Sequence, residues 1–441
     1  MGKKKKNILK ILLITLCLCG IMLFVVISAG VRVPFLEAYK TNFKHNVSGI
    51  SNMLGIELPW EVQLYLDDET APTPKPTMMP AEEAEALEEA YGTEEEMVEA
   101  KEGAELTVRE TVAPAKNENV PVALNSASNY KFANVNSKVV SVSETMYRGY
   151  DKKGKLLWEI PIQMQNPQVT VRGSYVLISE IGAKKIQLYK EKNKIFESKC
   201  QENIIGADLS KNGDVVAVTE KKYYKGQVVV FNKEGELIFA WGSGSYNILD
   251  AAISADRRVA ISLLNTDTGA DSYVLCLDVN GKEKYKTDTF KNSIIFDVEF
   301  NGENLNAIAD DKCIGISSNG KTSWEHSYDG KTITNYDLAA NGSKLILLED
   351  GGVGEIIVIS AKGKRYDPIK TGTIPDSVSI KSDYIAYNNG RDVIVCDFKG
   401  KAIRRASCSA DIKQIHAIER DKIFCVYSSS VQVKKPVKVK K

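Results

Sequence analysis

Histidine is nearly missing from this chain. Three occur in 441 residues, at His45, His326 and His416, too far apart for a metal-ligand spacing. The eight cysteines include no Cys-x-x-Cys pair and no dense framework of the kind that staples small secreted domains. No Gly-x-Ser-x-Gly elbow is present, which removes the common serine-hydrolase plan. Gly242-Ser243-Gly244-Ser245 is flexible but lacks the Gly-Lys-Ser/Thr that would complete a phosphate cradle. Glycoside hydrolysis needs two placed carboxylates, and none of the 57 acidic residues stands out as such a pair. The sequence therefore carries little recognisable chemistry.

Charge is balanced overall, at +1, but strongly segregated. Residues 1–10 form a basic end with Lys3, Lys4, Lys5, Lys6 and Lys10. Residues 11–31 follow without a charge. At 1.5 Å rise per residue such a run spans a hydrocarbon core of about 30 Å. The lysines before it predict a cytoplasmic N-terminus, an extracellular remainder and single-pass anchoring in the cell membrane. Ser28-Ala29-Gly30 would suit a signal-peptide cleavage site. The run exceeds the usual signal-peptide core, so an uncleaved transmembrane anchor is the expectation. Cys17 and Cys19 each follow a leucine, which argues against lipidation.

Residues 32–68 are amphipathic, with Phe35, Leu36, Tyr39 and Phe43 at helical spacing. Residues 69–119 read as a stalk. Its first part is Pro/Thr-rich and extended. Its second part sets eleven glutamates between Glu82 and Glu105 against Lys101 alone, and self-repulsion keeps such a block from packing. Residues 434–441 are a tail with five lysines, expected to be solvated or to touch the acidic stalk or an anionic wall polymer.

Residues 120–433 are periodic. A strand, a tight polar turn and another strand recur around Gly154, Asn193, Gly235, Gly281, Gly320, Gly363 and Gly400, at intervals of 39, 42, 46, 39, 43 and 37 residues. A period of about 40 residues built from short strands predicts an all-β propeller, one blade per repeat. Ile205–Ser210, Asp214–Thr219, Gln227–Phe231 and Leu237–Trp241 form the clearest four-stranded unit. The chain ends in three strands without a fourth, near 412–415, 423–426 and 431–433. Val120–Leu124 is an orphan strand at the other end. Joined, they make an eighth blade and remove an open edge; if Val120–Leu124 is linker, seven blades remain.

Several turns carry Gly-Lys followed by tryptophan: Asp151–Trp158 reads Asp-x-x-Gly-Lys in full, Ser318–Trp324 keeps Asn-Gly-Lys and the tryptophan, and Asp397–Lys401 is a partial copy. This resembles the quinoprotein-type (PQQ-like) propeller repeat, and the whole plan looks like membrane-anchored propellers of clostridia-like Gram-positive bacteria. The resemblance implies architecture more than activity. A quinone-dependent dehydrogenase of that family should carry adjacent cysteines and long insertions, both missing here. Trp158, Trp241 and Trp324 are expected to share one packing position after the turn.

Two candidate sites follow. Asn265, Asp267, Gly269 and Asp271 alternate as calcium-loop ligands do, but no glutamate closes the loop, so a polar hairpin is the expectation. The loops opposite the tight turns lengthen at 221–225, 242–246 and 265–272. Variable loops on a rigid scaffold carry binding residues, which makes Tyr223, Tyr224 and Tyr246 the candidate partner face. No catalytic, cofactor or metal residue is assigned. The sequence reading is a non-enzymatic, protein-binding or scaffolding propeller of the cell envelope that binds no nucleic acid. The alternatives are a sensor of a small molecule or glycan, or a degenerate quinoprotein-like enzyme.

Overall fold

Valine, isoleucine and other β-formers alternate with turn residues from Val122 onward, and they fold as strands throughout. The computed structural model describes residues 121–267 and 269–439, together with the backbone of the short strand Thr77–Met78. The expected anchor at 11–31, the segment expected to be amphipathic at 32–68 and the rest of the expected stalk lie outside the described residues. Among the described residues there is no helix, hence none able to cross a membrane.

Among the described residues the strands form eight antiparallel sheets, six of four strands and two of five, the blades of an eight-bladed β-propeller. Blades 1 to 7 begin at Lys131, Pro167, Ile204, Asn247, Ile295, Thr332 and Ser377. Blade 8 is composite. Gln414–Glu419, Lys422–Val426 and Ser430–Lys434 supply three strands, and Val122–Ala123 supplies the outermost, pairing with Val431 and Ser430. Closure by the N-terminal strand decides eight blades over seven. The core lies between blades. One cluster joins Val216, Val228 and Trp241 of blade 3 to Ile261 and Leu275 of blade 4.

The repeated turn has a physical basis. Asp151 Oδ1 accepts hydrogen bonds from the N–H groups of Lys153 and Lys155. Asn232, Asp278 and Asp397 do the same two and four residues on. The glycine then takes positive φ, as a three-residue hairpin loop with a bulge requires. In blade 2 the expected turn residue Asn193 instead begins a strand, and Glu191 holds the positive φ of 54°. A side chain on the outer strand of one blade covers the turn glycine of the next. Phe196 lies over Gly235, Phe239 over Gly281, Tyr285 over Gly320 and Trp324 over Gly363.

This corrects the grouping of tryptophans. Trp158 and Trp324 share a position four residues after the turn glycine with Phe239 and Tyr285. Trp241 sits two residues further along, paired with Val228. Trp158 and Trp324 instead face Gly149 and Gly315, whose missing side chains make room for the indoles.

The tail also departs from expectation. Val437 and Lys438 pair with Arg405 and Arg404 as a fifth strand on blade 7, where Arg404 Nη1 donates to Pro436 O. An unpaired outer edge recruits backbone whatever the charge of its side chains. On blade 3, the backbone of Thr77 and Met78 pairs with Gly242 and Trp241 in the same manner.

Candidate functional site

The innermost strand of each blade has one edge without a strand partner, so its outward N–H groups need acceptors in the channel. Side chains from the preceding blade supply them. Asp208 of blade 3 accepts from Ile253 N at 3.4 Å, and Asp250 of blade 4 accepts from Val298 N at 2.8 Å. Asp337 of blade 6 accepts from Ile380 N at 2.8 Å. Ser377 and Ser379 of blade 7 accept from Ile415 N and Ala417 N. Asp297 of blade 5 instead accepts from the Tyr336 hydroxyl of blade 6, at 2.8 Å. Bulges at the start of these inner strands place Asp250 and Asp297 in one layer, and Asp208, Glu299 and Asp337 in the next.

The acids thus crowd the half of the channel formed by blades 3 to 6. Arg172, ending the inner strand of blade 2, faces them. Its Nη2 lies 3.3 Å from Asp208 Oδ1 and 3.2 Å from Glu299 Oε1, bridging blade 2 to blade 5. Arg172 is 29% exposed, and Asp208 and Glu299 are 14% and 16% exposed. Asp208 chiefly, with Glu299, Asp297 and Asp250, raises the guanidinium pKa further. Burial pushes the Glu299 carboxyl up to about 7 despite Arg172. Asp250 is raised well above the carboxylate range by burial and by Asp297, and Asp297 and Asp337 are raised by burial. The nearby cations, Arg172 with Lys344 and Lys381, do not compensate so many enclosed carboxyls, and protonation relieves the excess. No group of three or more His, Cys, Asp or Glu among the described residues has metal-holding geometry.

Sequence reasoning missed this cluster. A signal was present in Leu249-Asp250 and Phe296-Asp297, an apolar residue and then aspartate at the head of consecutive inner strands. It reads as ordinary strand until the bulges align the two positions.

The three tyrosines expected at a partner face fall in one sector, in different states. Tyr223 is 78% exposed, with φ of 68° and the Lys222 ammonium 4.9 Å from its ring. Tyr224 is half-buried; its ring lies over Gly242 and under Lys221. Tyr246 is half-buried against Tyr273 in an edge-on contact, ring centroids 5.1 Å apart. Lys225 N donates to Ser243 O and ties the first loop to the second. In the third loop, Asn265 Oδ1 accepts from Asp267 N and Asp271 Oδ1 accepts from Asn292 N.

Two open grooves lie elsewhere, toward the tight-turn face. One of about 510 Å³ is lined by Tyr175, Lys211, Asp214, Lys233, Asp256 and Arg257. The other, of about 460 Å³, lies beside Trp158 and Glu191. Gly315-Ile316-Ser317-Ser318-Asn319-Gly320-Lys321-Thr322 matches the spacing of a P-loop. Here Gly315 lies under Trp324 and Gly320 is a hairpin turn, so no helix N-terminus faces a phosphate.

Residues 116–435, almost the whole propeller, match the model of a family of unknown function, DUF5711. The chain belongs to that family. No curated protein matches the sequence. The chain is similar to solved structures at low identity. BamB from Moraxella catarrhalis is 13% identical, with 72% of this chain and all of that chain covered and a TM-score of 0.48. Apo AztD from Citrobacter koseri is 12% identical over 64% and 87% of the two chains, with a TM-score of 0.43. Hsv2 from Kluyvelomyces marxianus is 12% identical over 63% and 98%, also with a TM-score of 0.43.

Proposed function

We propose that this DUF5711 chain is a non-enzymatic, membrane-anchored propeller of the cell envelope, held outside the bilayer on its stalk, and that it works by binding a protein partner. Tyr223 carries this reading. A bulky aromatic at positive φ costs folding free energy, and at 78% exposure it regains little by burial. Exposed aromatics beside cationic side chains are the anchors that protein interfaces use. Lys221, Lys222 and Lys225 surround it in sequence, so the partner surface it suits is apolar at its centre and acidic at its rim. The channel acids support the non-enzymatic part, because Asp208, Asp250 and Asp337 hold neighbouring backbone. Tight Asp/Asn-x-x-Gly-Lys turns with an aromatic four residues on support placing the repeats with the quinoprotein type.

Crosslinking the full-length chain in its native membrane, followed by mass spectrometry, tests this. One recurrent envelope protein in near-equal amount, lost on replacing Tyr223, Tyr224 and Tyr246 with alanine, is expected. An unchanged yield from the triple variant removes this face from the proposal. A second reading rests on the Tyr175–Arg257 groove, whose aromatic ring and mixed charges suit a glycan. Self-crosslinks alone would favour it.

A further inference from the structure

The groove of about 510 Å³ on the tight-turn face is walled by three blades. Tyr175 begins the second strand of blade 2. Lys211 and Asp214 belong to the first-to-second strand turn of blade 3, and Arg257 to the same turn of blade 4. These turns are built alike. In blade 4, Ser254 N–H donates to Arg258 O and Arg257 N–H donates to Ser254 O. Blade 3 repeats both bonds from Ser210, and blade 6 repeats them from Ala339. The fourth residue of each turn holds positive φ: Gly213 at 95°, Arg257 at 61° and Gly342 at 83°. Glycine takes that angle without a clash and arginine does not. Blade 4 therefore carries a cation where two sister turns carry the unstrained residue.

The position aims the guanidinium. Asp214 is 2% exposed, and its Oδ2 lies 3.3 Å from Arg257 Nε across the boundary between blades 3 and 4. Asn212 Nδ2 donates to Ala255 O at 2.7 Å and ties the same two turns together. Among the described residues, Nη1 and Nη2 of Arg257 make no hydrogen bond, and the side chain is 43% exposed. The other acid of the groove, Asp256, is already held by Ser254 and by Arg258 Nε. Lys211 has no ion pair among the described residues, and Lys233 reaches only its neighbour Glu234, at 3.5 Å. Positive charge is thus in excess. The Tyr175 ring packs over Gly213, with the Lys190 ammonium 5.6 Å from its centroid, and its hydroxyl makes no hydrogen bond.

We propose that this groove binds an acidic glycan, with Arg257 taking its carboxylate or phosphate. The inference rests on the second reading above, that the groove suits a glycan, and adds the charge. A guanidinium held through Nε still offers its terminal N–H groups to an oxyanion. Lys211 and Lys233 add flexible point charges at the rim. The Tyr175 hydroxyl and ring edge meet the hydroxyls and C–H groups of the sugar. A volume of about 510 Å³ takes a short stretch of such a chain.

The test measures binding of the purified full-length chain, in detergent, to immobilised oligosaccharides of three kinds: neutral, uronic-acid-containing and phosphorylated. Binding confined to the acidic kinds is expected, and whichever kind binds identifies the oxyanion. Arg257→Gly installs the residue that the sister turns use, so it should still unfold in one cooperative transition while acidic binding falls at least about tenfold. Lys211→Ala touches none of the turn hydrogen bonds. It should weaken acidic binding several-fold and leave the melting temperature unchanged. Neutral glycans bound as well as acidic ones would overturn the acidic class and leave the glycan reading standing. No glycan bound would overturn both. Acidic binding undiminished in both variants would place the ligand elsewhere and overturn the proposal.

Discussion

The Asp250 carboxylate of blade 4 accepts a 2.8 Å hydrogen bond from the backbone N–H of Val298 in blade 5. Nothing in the ladder of either blade requires it. It satisfies a donor that the inner edge of a propeller leaves open, and it ties consecutive repeats together at the channel wall. Asp208 and Asp337 repeat the device one blade before and two blades after.

Removing the acceptor should therefore cost more than removing the charge. Asp250→Ala leaves Val298 N–H buried and unpaired, and should destabilise by about 1–3 kcal/mol. Asp250→Asn keeps an acceptor and resembles the protonated acid that burial favours, so its loss should be smaller. Chemical denaturation of both variants checks the order. Faster hydrogen exchange at Val298 in the alanine variant alone would locate the effect.

Glu299 makes stability depend on pH. Burial raises its folded pKa from 4.5 to about 7. Its protonated form therefore favours the folded state fully below about pH 4.5, and that contribution is lost as pH rises through about 7. Arg172, Asp297, Asp208 and Lys344 are the charged groups that act on it. Glu299→Gln should match the wild type near pH 4 and exceed it by about 3 kcal/mol at pH 8. Melting temperatures across that range decide it, and parallel curves for the two proteins would count against the assignment.

Gly149 is required because Trp158 occupies the space of its side chain. A Cβ there would fall 2.1 Å from the indole. Gly149→Ala should destabilise by about 1–3 kcal/mol through overpacking. Pairing it with Trp158→Leu should recover part of that loss, which a double-mutant cycle measures. Strict additivity would mean that the two positions do not constrain each other.

Closure should matter more than the tail. Replacing Val122 and Ala123 with Gly-Pro exposes the Ser430 and Val431 edge and should lower the melting temperature by several degrees and promote self-association. Removing residues 435–441 takes away only an added fifth strand on blade 7, and should cost under about 1 kcal/mol. Calorimetry with light scattering separates the two outcomes.

Much of the architecture was legible in the residues. The Asp/Asn-x-x-Gly turns mark the third-to-fourth strand hairpin because a local side-chain acceptor and a residue at positive φ are both needed within a few positions. Asn193 misled because Glu191 can take the same backbone angle at modest cost. Trp241 misled because four- and six-residue offsets from the turn point to the same side of a strand, and only the facing residue, glycine or valine, tells them apart.

What the sequence by itself determined is the set of interactions that close within one repeat: strand alternation, turn chemistry and the candidate loops with their three tyrosines. The tertiary structure alone decided the interactions between repeats. Arg172 and Glu299 are 127 residues apart in sequence and 3.2 Å apart in space. Val122 pairs with Val431 only when the ring closes, and Cys408 shares a cluster with Cys425 only because blade 8 returns beside blade 7. Such contacts leave no local period, because the ring sets their partners and not the chain.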